Sequence, residues 1–144
     1  MYRRPYDQLM ASIAYPRRKV RLMGFLPGVT THQSIEDISV MQSIPNMSIL
    51  ETGDATEVES ICEAADSIDG PVWCRVLRGS VPRLFDTPIK VGEMRELSEG
   101  SDVLVVTSGI CTEEAMRARS ALAKAGLSIR HLHIHTIKPF NAKA

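Results

Sequence analysis

The chain has 144 residues, enough for one ordinary domain or for two incomplete domains that share a boundary. Seventeen basic and seventeen acidic residues cancel, so no net charge is present to attract nucleic acid or an anionic membrane surface. A hydrophobic content of 44% with only 5% aromatic residues predicts a packed core that is mainly aliphatic.

Short features of the sequence indicate where the protein is located and whether its cysteines are reduced. The longest apolar run, around 103–106, is far below the roughly 20 residues of a membrane span. No apolar block of the signal-peptide type follows the basic start at 1–5, so we expect a cytoplasmic protein without membrane contact. Cys62, Cys74 and Cys111 lack the two-residue spacing of metal or redox sites, and we expect reduced thiols in the core.

The first part of the chain alternates between predicted helices and strands. Apolar residues at three- and four-residue spacing from Leu9 to Ala14 predict a helix that Pro16 ends. The elements predicted after it are a strand at 19–23, a helix ending before Pro45, a strand at 47–50, a helix from Asp54 and a strand at 72–77. Such alternation predicts an α/β fold, with a mostly parallel sheet covered by helices.

The two helices between these strands have recognisable starts. Either Thr31 or Ser34 is placed to cap the first helix. Asp54 and Glu57 form a capping-box pattern at the start of the second, with Asp in place of Ser or Thr. The expected buried side chains are Ile35, Ile38 and Met41 in the first helix, and Val58, Ile61, Cys62 and Ala65 in the second.

The alternation breaks after the third strand. From Arg78 to about Glu96 the chain is rich in Gly, Pro and charged residues, and we place a domain boundary there, between 1–86 and 87–144. The elements predicted beyond it are a strand at 102–107, a helix from a Thr112 cap through Ala125, Gly126 as its C-cap and a strand at 129–134. Two strands and one helix cannot close a core, so this second domain is expected to be incomplete or covered by something else.

A dense polar run, Thr-His-Gln-Ser-Ile-Glu-Asp, occupies 31–37 where a loop meets the second predicted helix. Ligands in open α/β sheets bind at such junctions. His32 can donate to or accept from a carbonyl oxygen near neutral pH, and Gln33 can orient His32 or a ligand. Simple capping of the helix explains the same residues, and the residues alone leave both interpretations open.

Two arginines, Arg75 and Arg78, flank the end of the strand at 72–77. A planar guanidinium suits bidentate binding of phosphate, and we expect this strand end to face the His32 loop. The alternative is that both arginines extend their charged ends from the surface along apolar stems.

His131, His133 and His135 alternate along the last predicted strand and therefore project to one face. No Cys or carboxylate joins them at ligand spacing, so we predict no metal site and expect an interface or a solvated strand face. The acidic residues expected only to favour the dipole of the second helix are Glu51, Asp54, Glu57 and Glu59.

Five segments in order resemble the transketolase family, which depends on thiamine diphosphate. They are Thr31-His32-Gln33-Ser34-Ile35-Glu36-Asp37, Ile44-Pro45-Asn46-Met47, Asp54-Ala55-Thr56-Glu57, Gly70-Pro71-Val72 with Arg75 and Arg78, and His135-Thr136-Ile137-Lys138-Pro139-Phe140. The resemblance covers nearly the whole chain. The pattern is most similar to the separate C-terminal subunit of split transketolases.

This resemblance implies that 1–86 is the later part of a pyrimidine-binding domain and that 87–144 begins a transketolase C-terminal domain. It implies a transketolase subunit or fragment that transfers a two-carbon ketol unit between sugar phosphates. Thiamine diphosphate and Mg²⁺ would be held largely by a partner, an N-terminal subunit with the diphosphate-binding domain, because the Gly-Asp-Gly…Asn motif is absent from this sequence. A homo- or hetero-oligomer is expected.

The resemblance also assigns site residues. His32 is similar to the family histidine that hydrogen-bonds the C1 and C2 oxygens of the donor sugar, with Gln33 beside it, and Arg78 to the arginine that binds a substrate phosphate. Tyr2 falls near the aromatic wall around the aminopyrimidine. The glutamate that activates the cofactor has no counterpart in this sequence, and a short uncharged segment at 25–30 replaces the family's Gly-rich acidic loop.

Two alternatives stay open beside transketolase activity. One is a deoxyxylulose-phosphate synthase or the β subunit of a 2-oxo acid dehydrogenase, although the run at 31–37 favours transketolase over both. The other is a noncatalytic assembly module, or truncated relative, that binds a partner without turnover, which the missing glutamate favours.

Overall fold

Two β-sheets organise the chain in a computed structural model that describes residues 3–25, 27–28, 35–77 and 79–144. The helices are α1 (Tyr6–Gln8), which continues as a π-helix (Leu9–Ala14), α2 (Asp37–Ser43), α3 (Ala55–Asp66) and α4 (Cys111–Lys124). The strands are β1 (Arg21–Phe25), β2 (Ser48–Glu51), β3 (Val72–Val76), β4 (Met94–Ser98), β5 (Val103–Thr107), β6 (Ile129–Ile134) and β7 (Thr136–Lys138). No helix among the described residues is long and apolar enough to cross a bilayer.

The first sheet has the strand order β1-β3-β2-β7. Strands β1, β3 and β2 are parallel, with Phe25 opposite Val76 and Glu51 opposite Arg75. Strand β7 runs antiparallel to β2. The predicted α/β fold with a parallel sheet is therefore confirmed, and the carboxyl ends of three strands meet at one edge.

The second sheet has the order β4-β6-β5, with β5 parallel and β4 antiparallel to β6. Strand β4 begins in the stretch that the sequence analysis treated as irregular, which ended at about Glu96, so the prediction of only two strands in this half was wrong. The halves are also joined directly, because β7 follows β6 by one residue and pairs in the first sheet. The domain boundary at 86/87 stays a prediction.

The first sheet is covered on both faces, as side chains that alternate along a strand require. Ile49 and Trp73 point into a cluster with the N-terminal helix and α2, while Leu50 and Cys74 point into a cluster with α3. The remaining buried members are Leu9, Ala14, Met41, Ile44 and Met47 on the first side, and Ile61, Ala64, Ala65, Val72, Val76 and Ile89 on the second. The core is aliphatic, as the composition predicted.

Asp54 confirms the predicted start of α3. Its side chain accepts a hydrogen bond from the Glu57 backbone N–H at 2.8 Å. Its second oxygen accepts from the backbone N–H groups of Leu84 and Phe85 at 2.9 and 2.8 Å. One capping carboxylate therefore also fixes the segment that leads to the second sheet.

Several local predictions were wrong. Helix α2 begins after Glu36, which takes the N-cap place predicted for Thr31 or Ser34, two residues outside the described part. Ile35 precedes that helix and is exposed, and Cys62 and Cys111 are exposed while Cys74 is buried. Helix α4 begins after Ile110, so Thr112 is not its cap, whereas Gly126, at a φ of +83°, ends it as predicted.

Candidate functional site

A cavity of about 230 Å³ lies at the carboxyl ends of the parallel strands, where the sequence analysis placed the ligand site. Residues of the first half form most of its wall, and two residues at the start of α4 close the opposite side. The lining residues are Pro27, Gly28, Gly53, Arg75, Leu77, Ser80, Val81, Pro82, Ile110 and Glu113. The cavity therefore belongs to both halves of the chain.

The predicted site residues Tyr2, His32, Gln33 and Arg78 lie outside the described residues. Their chain neighbours are informative, because Leu77 directly precedes Arg78 and lines the cavity. Pro27 and Gly28, which precede the Thr-His-Gln run, also line it. The roles of the four residues stay predictions.

Arg75 is bound inside the protein by two carboxylates. Its Nε donates to Asp37 Oδ2 at 2.9 Å, and its Nη1 donates to Glu51 Oε1. The strand register brings Glu51 beside Arg75, and Asp37 is the first residue of α2. Burial alone would lower the pKa of Arg75, but the charges and hydrogen bonds of Glu51 and Asp37 outweigh it and raise the pKa. Surface extension of Arg75 was therefore the wrong alternative.

This ion-paired group is acidic overall, since two carboxylates face one guanidinium. Asp37 and Glu51 are each 3% exposed, and each keeps one buried oxygen that has no hydrogen-bond partner within the described part of the chain. Gly109 from the second half lies directly on the group, because a Cβ there would stand 2.7 Å from Glu51 Oε1. Gly109 also has a φ of +56°, so both backbone conformation and space require glycine.

Glu57, in the first turn of α3, is a fully buried acceptor. It accepts from the Gly53 N–H at 2.8 Å, from Arg95 Nε at 3.1 Å and from His133 Nε2 at 3.1 Å. Burial alone would raise the pKa of Glu57, but these hydrogen bonds, led by that of His133, lower the pKa overall. The expectation that Glu57 only favours the helix dipole was wrong.

The three alternating histidines face the junction of the two sheets, where each is at most 1% exposed. His131 contacts Thr107 and His133 contacts Thr112, each at 2.7 Å. The single face and the interface were predicted, while the solvated face was not found. Within the described ranges, no group of three His, Cys, Asp or Glu residues is arranged to hold a metal ion.

Comparisons with known proteins identify the family. A model of the transketolase C-terminal domain matches residues 92–144. An uncharacterised transketolase-family protein of Sinorhizobium fredii is 36% identical over 96% of this chain and 43% of its own length. A split-gene transketolase, solved as an inactive β4 tetramer, superposes with a TM-score of 0.91 at 33% identity over 97% of this chain. The chain belongs to the transketolase family.

Other transketolase-family matches extend the picture. The 6-deoxy-6-sulfo-D-fructose transketolase subunit of a Clostridium species is 35% identical over 99% of the chain and 47% of its own length. A transketolase from Pichia stipitis superposes with a TM-score of 0.75 at 18% identity, which shows the fold alone. This transketolase-family chain spans about half, or less, of the curated relatives it matches.

Thiamine diphosphate and Mg²⁺, which the family implies, do not fit the described residues of this transketolase-family chain. The guanidinium at the cavity is already taken by two carboxylates, so the group would repel a diphosphate. Each carboxylate gives one oxygen to that guanidinium, and no group of His, Cys, Asp or Glu that could hold a metal ion stands among the described residues. The described part of the chain therefore contains no binding site for the diphosphate.

The Arg75 group makes a direct stability prediction. Arg75→Leu leaves Asp37 and Glu51 buried without a counter-charge, so we expect a loss of about 3–5 kcal/mol in the free energy of unfolding. Urea denaturation measures it. The triple variant with Asp37→Asn and Glu51→Gln removes the stranded charges and should recover a large part of the loss. A loss below about 1 kcal/mol for Arg75→Leu alone would contradict the buried ion pairs.

His135 makes a pH prediction. Burial lowers the pKa of His135 to about 4, although Glu57 acts in the opposite sense. The unfolded chain therefore binds a proton between about pH 6.5 and 4 that the folded chain does not bind, and stability falls as pH falls through this window. We expect a loss of about 2–3 kcal/mol at this residue, measured by urea denaturation at stepped pH. His135→Gln should flatten the dependence, and an equally steep curve would contradict the prediction.

Proposed function

We propose that this chain is the C-terminal section of a split transketolase, and that with a partner chain it transfers a two-carbon ketol unit between sugar phosphates. The observation that carries the proposal is the agreement with the split-gene transketolase over 97% of this chain. The partner would be the N-terminal section with the diphosphate-binding domain. It would hold most of the thiamine diphosphate and Mg²⁺.

Two findings support a division of labour between chains. The Clostridium relative is a transketolase subunit, and a second such relative, an apulose-4-phosphate transketolase subunit of Phocaeicola vulgatus, is 28% identical over 98% of this chain. The split-gene transketolase solved as a β4 tetramer is inactive. The acidic group around Arg75 adds a physical reason, since a diphosphate needs cationic groups and Arg75 is already paired with Asp37 and Glu51.

The cavity supports a separation of roles between the two arginines. Arg75 balances Asp37 and Glu51 and has little capacity to bind a dianion. Arg78 follows the cavity residue Leu77, and we assign it the substrate phosphate. His32 and Gln33 follow the cavity residue Gly28 by a few residues, and we assign them the oxygens of the donor sugar.

The test is reconstitution. The full chain is combined with an N-terminal transketolase section from the same genome, thiamine diphosphate, Mg²⁺, a ketose phosphate donor and an aldose phosphate acceptor. We expect a stable complex and ketol transfer that neither chain gives alone. A complex without turnover would support the noncatalytic assembly module instead, and failure to associate would contradict both.

A second candidate is a 1-deoxy-D-xylulose-5-phosphate synthase activity. Four enzymes with that name are 28–33% identical over 96–99% of this chain, and the chain spans about a quarter of each. The donor distinguishes the two activities. A 2-oxo acid donor must lose CO₂ to yield a two-carbon unit, whereas a ketose phosphate releases a shortened aldose phosphate. CO₂ release and formation of a ketose phosphate with pyruvate as the donor and an aldose phosphate as the acceptor would favour this candidate.

Arg78→Ala tests the phosphate assignment in the reconstituted complex. We expect the KM for phosphorylated sugars to rise about tenfold or more, because a charge-assisted bidentate contact is lost, with a smaller change for unphosphorylated sugars. The melting temperature should stay close to wild type. An equal effect on both classes of substrate would contradict the assignment and indicate a structural role.

His32→Ala tests the contact with the donor oxygens. A hydrogen bond that strengthens as charge develops on oxygen contributes in the transition state, so we expect kcat/KM to fall about 10²-fold. Steady-state kinetics with saturating cofactor measures the change, and a thermal melt controls for unfolding. A value within a few-fold of wild type would remove His32 from the site.

A further inference from the structure

A continuous chain of hydrogen bonds crosses the junction of the two sheets. It runs from Glu57 through His133 Nε2 at 3.1 Å, then from His133 Nδ1 to Thr112 Oγ1 at 2.7 Å. Thr112 contacts Thr107 Oγ1 at 3.0 Å, and Thr107 contacts His131 Nε2 at 2.7 Å. Each of these five side chains is at most 9% exposed. Water therefore offers no alternative partners along this chain.

A neutral imidazole at His133 sets the direction of every bond, starting from Glu57. An ionised Glu57 can only accept, so His133 Nε2 carries the proton. The Nδ1 of a neutral imidazole then accepts from the Thr112 hydroxyl, which in turn accepts from Thr107. Thr107 must accept from His131 Nε2–H, which leaves His131 Nδ1 as a bare acceptor. That atom is buried and has no hydrogen-bond partner among the described residues.

A neutral His133 also suits the local charge balance. Arg95 lies opposite His133 in the β4–β6 register, and its Nε donates to Glu57 Oε1 at 3.1 Å. The guanidinium already balances the carboxylate, so a neutral imidazole leaves the buried cluster without net charge. His133 packs against the ring of Phe85 at a centroid distance of 5.0 Å, which adds an apolar neighbour.

The two ends of the Glu57–His133–Thr112 section reach opposite walls of the cavity. Glu57 accepts from the backbone N–H of Gly53, a lining residue on the first half. Thr112 lies in α4 between Ile110 and Glu113, which line the wall on the second half. His133 packs on the Gly53 loop so closely that a Cβ at Gly53 would stand 2.6 Å from its Cε1.

We propose that Glu57, His133 and Thr112 are positioning residues. They hold the loop at Gly53, between β2 and α3, at a fixed distance from the start of α4 and so set the shape of the substrate cavity. The oriented chain makes this positioning rigid, because each hydroxyl has one donor and one acceptor and cannot rotate without losing a bond. The proposal deepens the proposed function and rests on it where activity is concerned.

Thr112 offers the sharpest test, because Thr112→Val keeps the shape and removes the hydroxyl, while Thr112→Ser keeps the hydroxyl. With only four histidines in the chain, long-range ¹H–¹⁵N spectra of the labelled full chain at pH 7 report each tautomer. We expect His131 and His133 both to carry the proton on Nε2. A Nδ1–H tautomer or a cationic ring at either residue would overturn the oriented chain.

The same spectra report the cavity walls. In Thr112→Val we expect the backbone amide signal of Gly53 to shift and His131 to become a mixture of tautomers, because Thr107 loses its acceptor. Thr112→Ser should keep the Gly53 signal and the His131 tautomer of wild type. Ser120→Ala removes an exposed hydroxyl that donates to the Met116 carbonyl on the same helix, and should leave these signals unchanged. An unmoved Gly53 signal in Thr112→Val would overturn the positioning role.

Kinetics of the reconstituted complex complete the test. We expect Thr112→Val to lower kcat/KM about tenfold, since small misplacements of a substrate are costly, and Thr112→Ser to stay within about twofold of wild type. A lower melting temperature with unchanged kcat/KM would show a purely structural network and overturn the proposal. If the wild-type complex has no ketol-transfer activity, the proposed function fails, and the Gly53 amide signal still decides the positioning.

Discussion

The structure depends on the burial of one carboxylate, that of Glu57. A buried charge is tolerated only when charged partners and hydrogen bonds replace the water it has lost. No single element supplies those partners, which are the Gly53 backbone after β2, Arg95 on β4 and His133 on β6. The two sheets cannot separate without exposing or stranding this charge, so α3 and the second sheet are held in one relative position.

The cavity is a consequence of that attachment. Its floor is the carboxyl edge of the parallel sheet, which any α/β fold of this type would present. Its far wall is the start of α4, which reaches the edge only because the second sheet is fixed against α3. Gly109 shows how close the approach is, since its missing side chain is what lets the loop after β5 rest on Glu51. The shape of the cavity therefore depends on the packing between the two halves of the chain.

The sequence predicted those helices and strands that depend mainly on residues close together in the chain. Short runs between turn residues predicted β1, β2 and β3, the Asp54 cap predicted the start of α3, and the likeness of five segments predicted the family. Strand β4 was missed because it begins in a charged stretch and contains Arg95 and Glu96. Arg95 is a strand residue whose charge is balanced by a partner 38 positions earlier, and no local pattern reveals such a pairing.

The three histidines of β6 and the residue after it were also predicted only in part from local sequence. Their period-two spacing predicted that they share a face, and that face does lie at an interface. Whether this face is exposed to solvent could not be predicted, because His133 contacts the carboxylate of Glu57, which lies 76 positions earlier in the chain. Thr112 illustrates a further case. It stands where a helix cap is expected, yet its hydroxyl serves His133 and Thr107 across the junction. A tertiary hydrogen bond has replaced a local one.

The proposed function assigns the sugar and phosphate contacts to the Thr-His-Gln run and Arg78, which lie outside the described residues. The Arg75 group constrains how that chemistry can be arranged. The charge of Arg75 is already balanced by two buried carboxylates, so Arg75 attracts a dianion only weakly. Phosphate binding at this edge therefore depends on a different cation. The surplus negative charge also makes the edge unsuited to a diphosphate. In the proposed arrangement the partner section supplies the cationic groups that the diphosphate needs.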